Sequence, residues 1–134
     1  MPEAPVVLDS FALLRLFRDE KGADTVAQLL EEAGRLKQRV LMTEVNYAEV
    51  QYIVRRKDGD DAWGNVEREL SAIPIEFIPV GRELANAAAE IKSRFALSLA
   101  DAFAAALAKL LDAQLVTGDP EFKPLKKELE ILWL

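Results

Sequence analysis

Short apolar runs alternate along the chain with longer segments in which apolar residues recur every three or four positions. A short apolar run bounded by polar or turn residues is typical of a buried strand, and the wider spacing is typical of a helix with one buried face. The runs predict strands at 6–8, 40–43, 75–80, 114–117 and 130–134. The wider spacing predicts a helix just after residue 9, a short turn or helix after Pro120, and helices at 23–36, 44–56, about 60–72, 81–94 and 98–111.

This alternation predicts an α/β fold in which helices cover both faces of a parallel sheet, a three-layer α/β/α sandwich. No internal repeat, low-complexity tract or linker interrupts the pattern, so we expect residues 1–134 to form one domain. Functional groups in such sheets collect in the crevice outside the carboxyl ends of the strands. The first and fourth strands can lie side by side where the strand order reverses. Residues that follow these two strands are therefore the first candidates for a site.

The chain contains neither cysteine nor histidine. Without cysteine, disulfides and thiolate-bound zinc are excluded, which fits a reducing cytoplasm. Without histidine, Ser-His-Asp catalysis, histidine bases and most zinc or copper sites are excluded, so polar chemistry falls mainly to carboxylates and hard cations. The net charge of −6 argues against nucleic-acid binding by bulk electrostatics alone. No leader opens the chain and no apolar run approaches the ~20 residues of a membrane span, so we expect a cytoplasmic protein with no membrane contact.

Two aspartates follow the first and fourth predicted strands and are therefore expected at one edge of the sheet. Asp9 follows V-V-L at 6–8, and Asp119 ends the stretch L-V-T-G-D at 115–119. Each also fits a helix N-cap, because an aspartate there accepts a hydrogen bond from a free backbone N–H group. The proline after Asp119 makes the capping pattern a common one. Their shared place at the sheet edge makes both residues candidate ligands as well as caps.

Two further acids stand on helical faces that are otherwise apolar. Glu49 is the one charged residue on a face shared by positions 45, 48, 49, 52 and 53. Asp101 is followed at helical spacing by small residues that allow a close approach to the sheet: Ala104, Ala105 and Ala108. A buried carboxylate is costly unless it is paired, bound to metal or at the edge of a cleft. The alternatives are a Glu49 that reaches solvent and an Asp101 that is a first-turn acid, favoured by the helix dipole and capped by Ser98.

The helices at 44–56 and 98–111 can bring Glu49 and Asp101 over the strand ends that carry Asp9 and Asp119. Four carboxylates so close would repel one another, raise one another's pKa values and destabilise the site. A divalent cation removes this conflict, and all-oxygen ligation favours Mg²⁺ or Mn²⁺ over zinc. The sequence therefore predicts a metal site at the carboxyl edge of the sheet.

Four short motifs carry these acids in an order and spacing that cover essentially the whole chain: V-V-L-D-S-F-A-L-L at 6–14, N-Y-A-E-V at 46–50, L-A-D-A at 99–102 and L-V-T-G-D-P-E-F at 115–122. Together they resemble the PIN-domain nucleases, and most of all the single-domain, VapC-like toxins of prokaryotic toxin–antitoxin pairs. The resemblance implies a parallel sheet of order 3-2-1-4-5 and an acidic quartet at Asp9, Glu49, Asp101 and Asp119. It also implies that the hydroxyls of Ser10 and Thr117 support the acids or a water, with Thr117 the better match. Glu121 is expected to be an ordinary first-turn acid.

The activity that this resemblance implies is Mg²⁺- or Mn²⁺-dependent endonucleolytic cleavage of RNA, which leaves 5′-phosphate and 3′-hydroxyl ends. Asp9, Asp101 and Asp119 are then expected to bind metal directly, and Glu49 directly or through water. The resemblance further implies a homodimer and an antitoxin protein whose C-terminal segment enters the acidic groove. Basic residues near the crevice are expected to meet RNA phosphates, or, taken singly, only solvent: Arg15, Arg18, Lys123, Lys126 and Lys127.

Other classes fit the residues less well. A receiver-like phosphoacceptor domain needs paired acids after its first strand and an aspartate after its third, where this chain has Asp9-Ser10 and Pro79-Val80. A phosphohydrolase with D-x-D after its first strand is disfavoured, because the D-S-F that begins at Asp9 puts phenylalanine in place of the second aspartate. A non-catalytic binding module with a PIN fold, and a PIN nuclease outside toxin–antitoxin systems, remain alternatives.

Overall fold

A computed structural model describes residues 4–134 and contains a five-stranded sheet in which all paired strands are parallel. Its strands are β1 (Val6–Leu8), β2 (Val40–Thr43), β3 (Ile75–Ile78), β4 (Gln114–Thr117) and β5 (Ile131–Trp133). Their spatial order is 3-2-1-4-5, which places β1 in the centre between β2 and β4. The predicted α/β fold class and strand order are confirmed.

Six α-helices and one 3-10 helix connect these strands within residues 4–134: α1 (Ser10–Phe17), α2 (Ala23–Leu36), α3 (Glu44–Asp58), α4 (Asp60–Leu70), α5 (Arg82–Arg94), α6 (Leu99–Leu110) and the 3-10 helix (Pro120–Leu125). Strand β3 ends two residues before the predicted residue 80, because its partner β2 offers no pairing beyond Thr43, opposite Ile78. Helix α3 runs two residues further than predicted, to Asp58, and is capped by Gly59, whose φ of 94° favours glycine. None of the helices formed by residues 4–134 has the length and apolar character to cross a membrane.

The two faces of the sheet carry separate apolar cores, because successive strand residues point to opposite faces. Val6 and Leu8 of β1 pack with α1, α2, α3 and α4 on one face, whereas Val7 packs with α5, α6 and the 3-10 helix on the other. The strands therefore read as continuous apolar runs, since both faces are covered. Their polar successors emerge together at the carboxyl edge.

Helix α6 lies in the interior of the fold. Nine consecutive residues, 100–108, are buried, and six of them are alanine. The helix contacts α3, α5 and the three central strands β1, β2 and β4. Small side chains allow this close approach on several sides at once, as the alanine-rich sequence predicts. Asp101 is therefore held near the start of a helix that is enclosed by its neighbours.

The sequence-based interpretation of α3 is wrong about which face packs on the core. The buried residues of α3 are Asn46, Val50 and Val54, one position away from the predicted apolar stripe. Tyr52, a member of that stripe, is 49% exposed. Glu49 is thus half-buried at the margin of the core rather than enclosed in an apolar face. Its position resembles the edge of a cleft, one of the places where an acid is tolerated.

Candidate metal centre

The ends of β1 and β4 are joined by a chain of hydrogen bonds between side chains and backbone. Leu8 and Val116 are paired in the two strands, so Asp9 and Thr117 emerge side by side. Asp9 is fully buried; its Oδ1 accepts from the N–H of Ala12 at 2.8 Å, and its Oδ2 accepts from the Thr117 hydroxyl. The Thr117 oxygen in turn accepts from the N–H of Asp119 at 3.0 Å. Asp9 therefore caps α1, as one interpretation of the sequence held, while it also belongs to the acidic edge.

Three carboxylates form a tight group beside this chain of bonds. One oxygen from each of Asp101, Asp119 and Glu121 lies within 4.8 Å of the other two. Asp119 is held in place by the N–H of Glu121, which donates to its Oδ1 at 2.9 Å. The N–H of Asp101 donates to the Ser98 hydroxyl at 3.1 Å, so Ser98 caps α6 as the sequence suggested. Asp101 thus lies in the first turn of α6, and Asp119 and Glu121 lie at the start of the 3-10 helix.

Glu121 is the member of this group that the sequence interpretation missed. It does lie in the first turn of the 3-10 helix, as expected of an ordinary first-turn acid. Its distance to Asp101 depends on how closely α6 approaches the end of β4, which no local pattern reveals. The sequence did hold one signal: in L-V-T-G-D-P-E-F, Glu121 stands only two residues after the candidate ligand Asp119.

Asp9 and Glu49 lie close to this group without belonging to its tightest part. The charges of Asp119 and Glu49 both raise the pKa of Asp9, and the charge of Asp9 raises the pKa of Asp101. Among residues 4–134, however, the group within mutual 4.8 Å reach consists of Asp101, Asp119 and Glu121. All four predicted acids therefore meet at one edge, with Glu49 at its periphery.

Burial is the main cause of the raised pKa values of two of these acids. Loss of solvent raises the pKa of Asp9 to about 7 from an ordinary value of 3.8, although hydrogen bonds from Thr117 and Ala12 act in the opposite direction. The pKa of Asp101 is also raised, first by burial and then by the charge of Asp119 and a hydrogen bond with Glu121. A cation that binds at these carboxyls would therefore compete with protons for them.

No basic side chain among residues 4–134 neutralises these acids, because all the ion pairs in this part of the chain involve other carboxylates. The donors are all oxygen atoms, and they converge from four separate segments. Such a set suits a hard divalent cation such as Mg²⁺ or Mn²⁺, which prefers carboxylate and water ligands. The residues present therefore fit the predicted metal.

A second residue that the sequence interpretation overlooked, Asn46, connects the helix starts that carry the acids. Its side-chain nitrogen donates to Ser10 Oγ at 3.0 Å and to the carbonyl of Ala100 at 3.1 Å. Its side-chain oxygen accepts from the Thr43 hydroxyl. Asn46 is fully buried, and the residues it joins adjoin Asp9, Asp101 and the start of α3. The amide thus fixes the relative placement of the elements that carry three of the four predicted acids.

The stability of the metal-free protein is expected to fall as the pH rises from about 5 to about 8. The folded chain retains protons on Asp9 and Asp101 that the unfolded chain loses near pH 4, so raising the pH favours unfolding. Each such group contributes about 1.4 kcal/mol per pH unit where its two states differ by a full proton. Melting temperatures measured in a chelator at several pH values test this.

Addition of Mn²⁺ or Mg²⁺ is expected to raise the melting temperature more at pH 8 than at pH 6, because the ion competes with protons for the carboxylates. A melting temperature of the metal-free protein that is constant or rises over pH 5–8 would contradict the proton assignment.

Comparison with known families and structures agrees with this architecture. The model of the PIN domain family matches residues 6–128, and the chain belongs to this family. No curated protein sequence matches the chain significantly. The match spans every strand except β5 and includes all the acids described above.

Solved structures show the same fold at low sequence identity. The chain is similar to VapBC2 of Rickettsia felis, bound to a DNA fragment from its promoter, with a TM-score of 0.76, 20% identity and coverage of 95% of this chain and 96% of that chain. It is similar to DNA-bound VapBC of Salmonella typhimurium, with a TM-score of 0.76, 12% identity and coverage of 97% and 98%. For VapC20 of Mycobacterium tuberculosis, a Sarcin-Ricin loop cleaving toxin, the TM-score is 0.72, the identity 15% and the coverage 90% and 94%. At these identities the likeness concerns the fold.

Proposed function

We propose that the chain is a divalent-metal-dependent endoribonuclease and the toxin of a toxin–antitoxin pair. The observation that carries this proposal is the set of carboxylates without cationic partners among residues 4–134, at the carboxyl edge of a PIN-family sheet. Asp9, Asp101, Asp119 and Glu121 would hold Mg²⁺ or Mn²⁺, and Glu49 would bind it directly or through water. When bound, the ion would act as a Lewis acid and would lower the pKa of a water molecule, which makes that water a better nucleophile near neutral pH.

The chain's own residues orient and protect this centre. The Thr117 hydroxyl donates to one oxygen of Asp9, while the backbone of α1 holds the other, so the Asp9 carboxyl keeps one orientation. Thr117 therefore acts through Asp9 and Asp119 as a positioning residue. Glu121 is the exposed member of the group, so we propose that a phosphodiester reaches the centre from its side. Burial of Asp9 and Asp101 keeps bulk water away and strengthens their electrostatic effect on bound charge.

The proposed partners follow from the same acids and from the related structures. One structure with the same fold is a toxin–antitoxin complex from Klebsiella pneumoniae, and another, VapBC-5 of M. tuberculosis, is a member of the VapBC family of toxin–antitoxin systems. An antitoxin segment that carries an arginine would neutralise the carboxylates of this chain, since a guanidinium pairs well with them. We also propose that the chain forms a homodimer and acts in the cytoplasm.

Incubation of the purified chain with RNA is expected to give internal cleavage in Mg²⁺ or Mn²⁺ and none in excess chelator. End-group analysis should find 5′-phosphate and 3′-hydroxyl products. Light scattering of the same preparation should give the mass of a dimer. Thermal melts with and without metal are the control, because they report binding independently of turnover.

A chain that binds the metal but cuts no RNA of any kind would be a non-catalytic PIN-fold module, and the nuclease proposal would fail. Cleavage that persists unchanged in chelator would exclude the metal-dependent mechanism.

A further inference from the structure

The ring of Phe11 approaches the backbone of Gly118 more closely than any side chain at residue 118 would allow. A Cβ placed on Gly118 would lie 2.4 Å from Phe11 Cε1, and 3.0 and 3.2 Å from Cζ and Cδ1 of the same ring. Gly118 stands between Thr117, which donates to Asp9, and Asp119, a member of the tight carboxylate group. The ring therefore packs directly on the backbone that carries one of the candidate metal ligands.

Lack of space, rather than backbone conformation, is what requires glycine at residue 118. Among residues 4–134, the glycines with a positive φ are Gly22 and Gly59, so the φ of Gly118 does not itself demand glycine. The three atoms nearest to the added Cβ all belong to the Phe11 ring. Removal of the ring would therefore remove the conflict and leave room for an alanine at residue 118.

The Phe11 ring is itself held in place by its own helix. Phe11 lies in the first turn of α1, between Ser10, whose hydroxyl donates to the backbone of α3 at 3.3 Å, and Ala12, whose N–H donates to Asp9 at 2.8 Å. One helical turn later, the guanidinium carbon of Arg15 lies 4.4 Å from the centroid of the ring, within the range of a cation–π contact. The ring is thus a fixed surface against which Gly118 packs.

The turn that carries Asp119 needs a restraint of this kind. Glycine lacks the Cβ that limits backbone freedom, so Gly118 loosens the chain next to a candidate ligand. The hydrogen bonds of Asp119 are local: its N–H donates to the Thr117 hydroxyl at 3.0 Å, and its Oδ1 accepts from the N–H of Glu121 at 2.9 Å, each partner only two residues away. These bonds fix the shape of the turn, whereas the contact with Phe11 ties the turn to another element of the fold.

Magnesium and calcium place different demands on a group of carboxylates. Mg²⁺ requires near-ideal octahedral geometry with oxygens at about 2.0–2.1 Å, whereas Ca²⁺ accepts about six to eight oxygens at about 2.3–2.6 Å in a flexible arrangement. Displacement of one carboxylate therefore weakens Mg²⁺ binding more than Ca²⁺ binding. We infer that Phe11 is a positioning residue of the metal centre: through Gly118 its ring fixes Asp119 and fits the acidic group to Mg²⁺ rather than to Ca²⁺. The inference rests on the metal site of the proposed function and not on its substrate.

Calorimetric titration of the metal-free chain with MgCl₂ and with CaCl₂ tests the inference without turnover. In Phe11→Ala, the Kd for Mg²⁺ should rise about tenfold or more, while the Kd for Ca²⁺ stays within about twofold. Phe11→Leu, which keeps part of the packing, should show a smaller change in the same direction. The matched control is Phe17→Ala, which removes a partly buried ring at the other end of α1 and should leave the ratio of the two Kd values unchanged.

Substitution of Gly118 should have opposite effects in the two backgrounds. With the ring present, the Cβ of Gly118→Ala collides with it, and Mg²⁺ affinity should fall about tenfold or more. In Phe11→Ala the same substitution should restore Mg²⁺ affinity to within about threefold of the wild type, because alanine restricts the backbone that the ring no longer holds. The matched control is Gly81→Ala: Gly81 also follows a strand at the carboxyl edge, but its Cβ would meet nothing within 4 Å.

Amide hydrogen exchange followed by NMR in excess chelator supplies a measurement that needs no metal. The N–H groups of Asp119 and Glu121 should exchange about tenfold faster in Phe11→Ala than in the wild type, because the turn opens more often. The N–H of Asp101, bonded to the Ser98 hydroxyl at the start of α6, should exchange at the same rate in both proteins.

Two results would overturn the inference. One is a Phe11→Ala protein that melts at a lower temperature but keeps the wild-type ratio of Kd values for Mg²⁺ and Ca²⁺, which would make the ring a packing residue only. The other is a Gly118→Ala substitution that weakens Mg²⁺ binding equally with and without the ring. Because no turnover is measured, the expected changes in a chain that cuts no RNA leave this inference standing while the nuclease proposal fails. Mg²⁺-dependent cleavage by the wild type, with an unchanged Kd ratio in Phe11→Ala, does the reverse.

Discussion

Replacement of Asp101 by asparagine is expected to reduce the rate of the proposed metal-dependent RNA cleavage on the order of a thousandfold or more. The amide keeps the shape of the side chain but removes the negative charge that converges with Asp119 and Glu121 on one point. Measurement of kcat under saturating RNA, together with a metal titration by thermal shift, separates loss of the ion from loss of folding.

The folded state should not suffer from this change. Asp101 is buried and its charge is opposed by Asp119 and Asp9, so a neutral amide relieves repulsion in the metal-free protein. We expect a melting temperature at pH 8, in chelator, that equals or exceeds the wild-type value. The matched control is Asp24→Asn, since Asp24 is also an acid in a first helical turn but is exposed on α2. If both variants kept full activity, Asp101 would be only a dipole-favoured helix acid.

Replacement of Asn46 by alanine is expected to destabilise the protein by about 3 kcal/mol. The change removes every hydrogen bond of this buried side-chain amide: the Thr43 hydroxyl loses its acceptor, and the Ser10 oxygen and the carbonyl of Ala100 each lose a donor. Each unsatisfied buried polar group costs about 1–3 kcal/mol, and the vacated volume adds to that cost. Chemical denaturation gives the free energy of unfolding, and the same variant should bind metal more weakly because three acid-bearing elements lose a common anchor.

The comparison for Asn46 is Asn86→Ala, which alters an exposed asparagine in the middle of α5. That variant should stay within about 0.5 kcal/mol of the wild type. Equal stabilities of the two variants would show that the Asn46 amide contributes nothing beyond a solvent-facing one.

The strands were predictable because their signal is local. Val6-Val7-Leu8 is an uninterrupted apolar run, as befits a central strand covered on both faces, and Asp9 ends it abruptly. The same holds for β4, which ends at Thr117 just before Gly118. Acids that immediately follow such runs must emerge at the carboxyl edge, so the placement of Asp9 and Asp119 follows from the run and the parallel sheet.

The face of α3 was not predictable from apolar periodicity. Asn46 lies in the core although its side chain is polar, because Ser10, Thr43 and Ala100 satisfy its hydrogen bonds. Two of these partners are 36 and 54 residues away along the chain, so no local window contains them. Conversely, Tyr52 has the composition of a core residue but lies at the surface beside Arg56. Apolar periodicity therefore predicts an exposed Asn46 and a buried Tyr52, the reverse of what the structure contains.

The place of Glu121 in the acidic group could not be predicted from the sequence for a related reason. A first-turn acid after Asp-Pro is explained by the helix start alone. Only the packing of α6 against the end of β4 brings Asp101 within reach of it, and that distance depends on alanine side chains that carry no chemistry of their own.

The enclosure of α6 limits how this protein can be switched off. A helix held by two other helices and three strands cannot swing or slide without breaking most of the core, so Asp101 has a single position in the folded chain. Inhibition by a conformational change that displaces Asp101 is therefore unfavourable. An inhibitor must instead cover the opening of the centre or deprive it of its ion, and it should dissociate to leave an enzyme that is immediately competent.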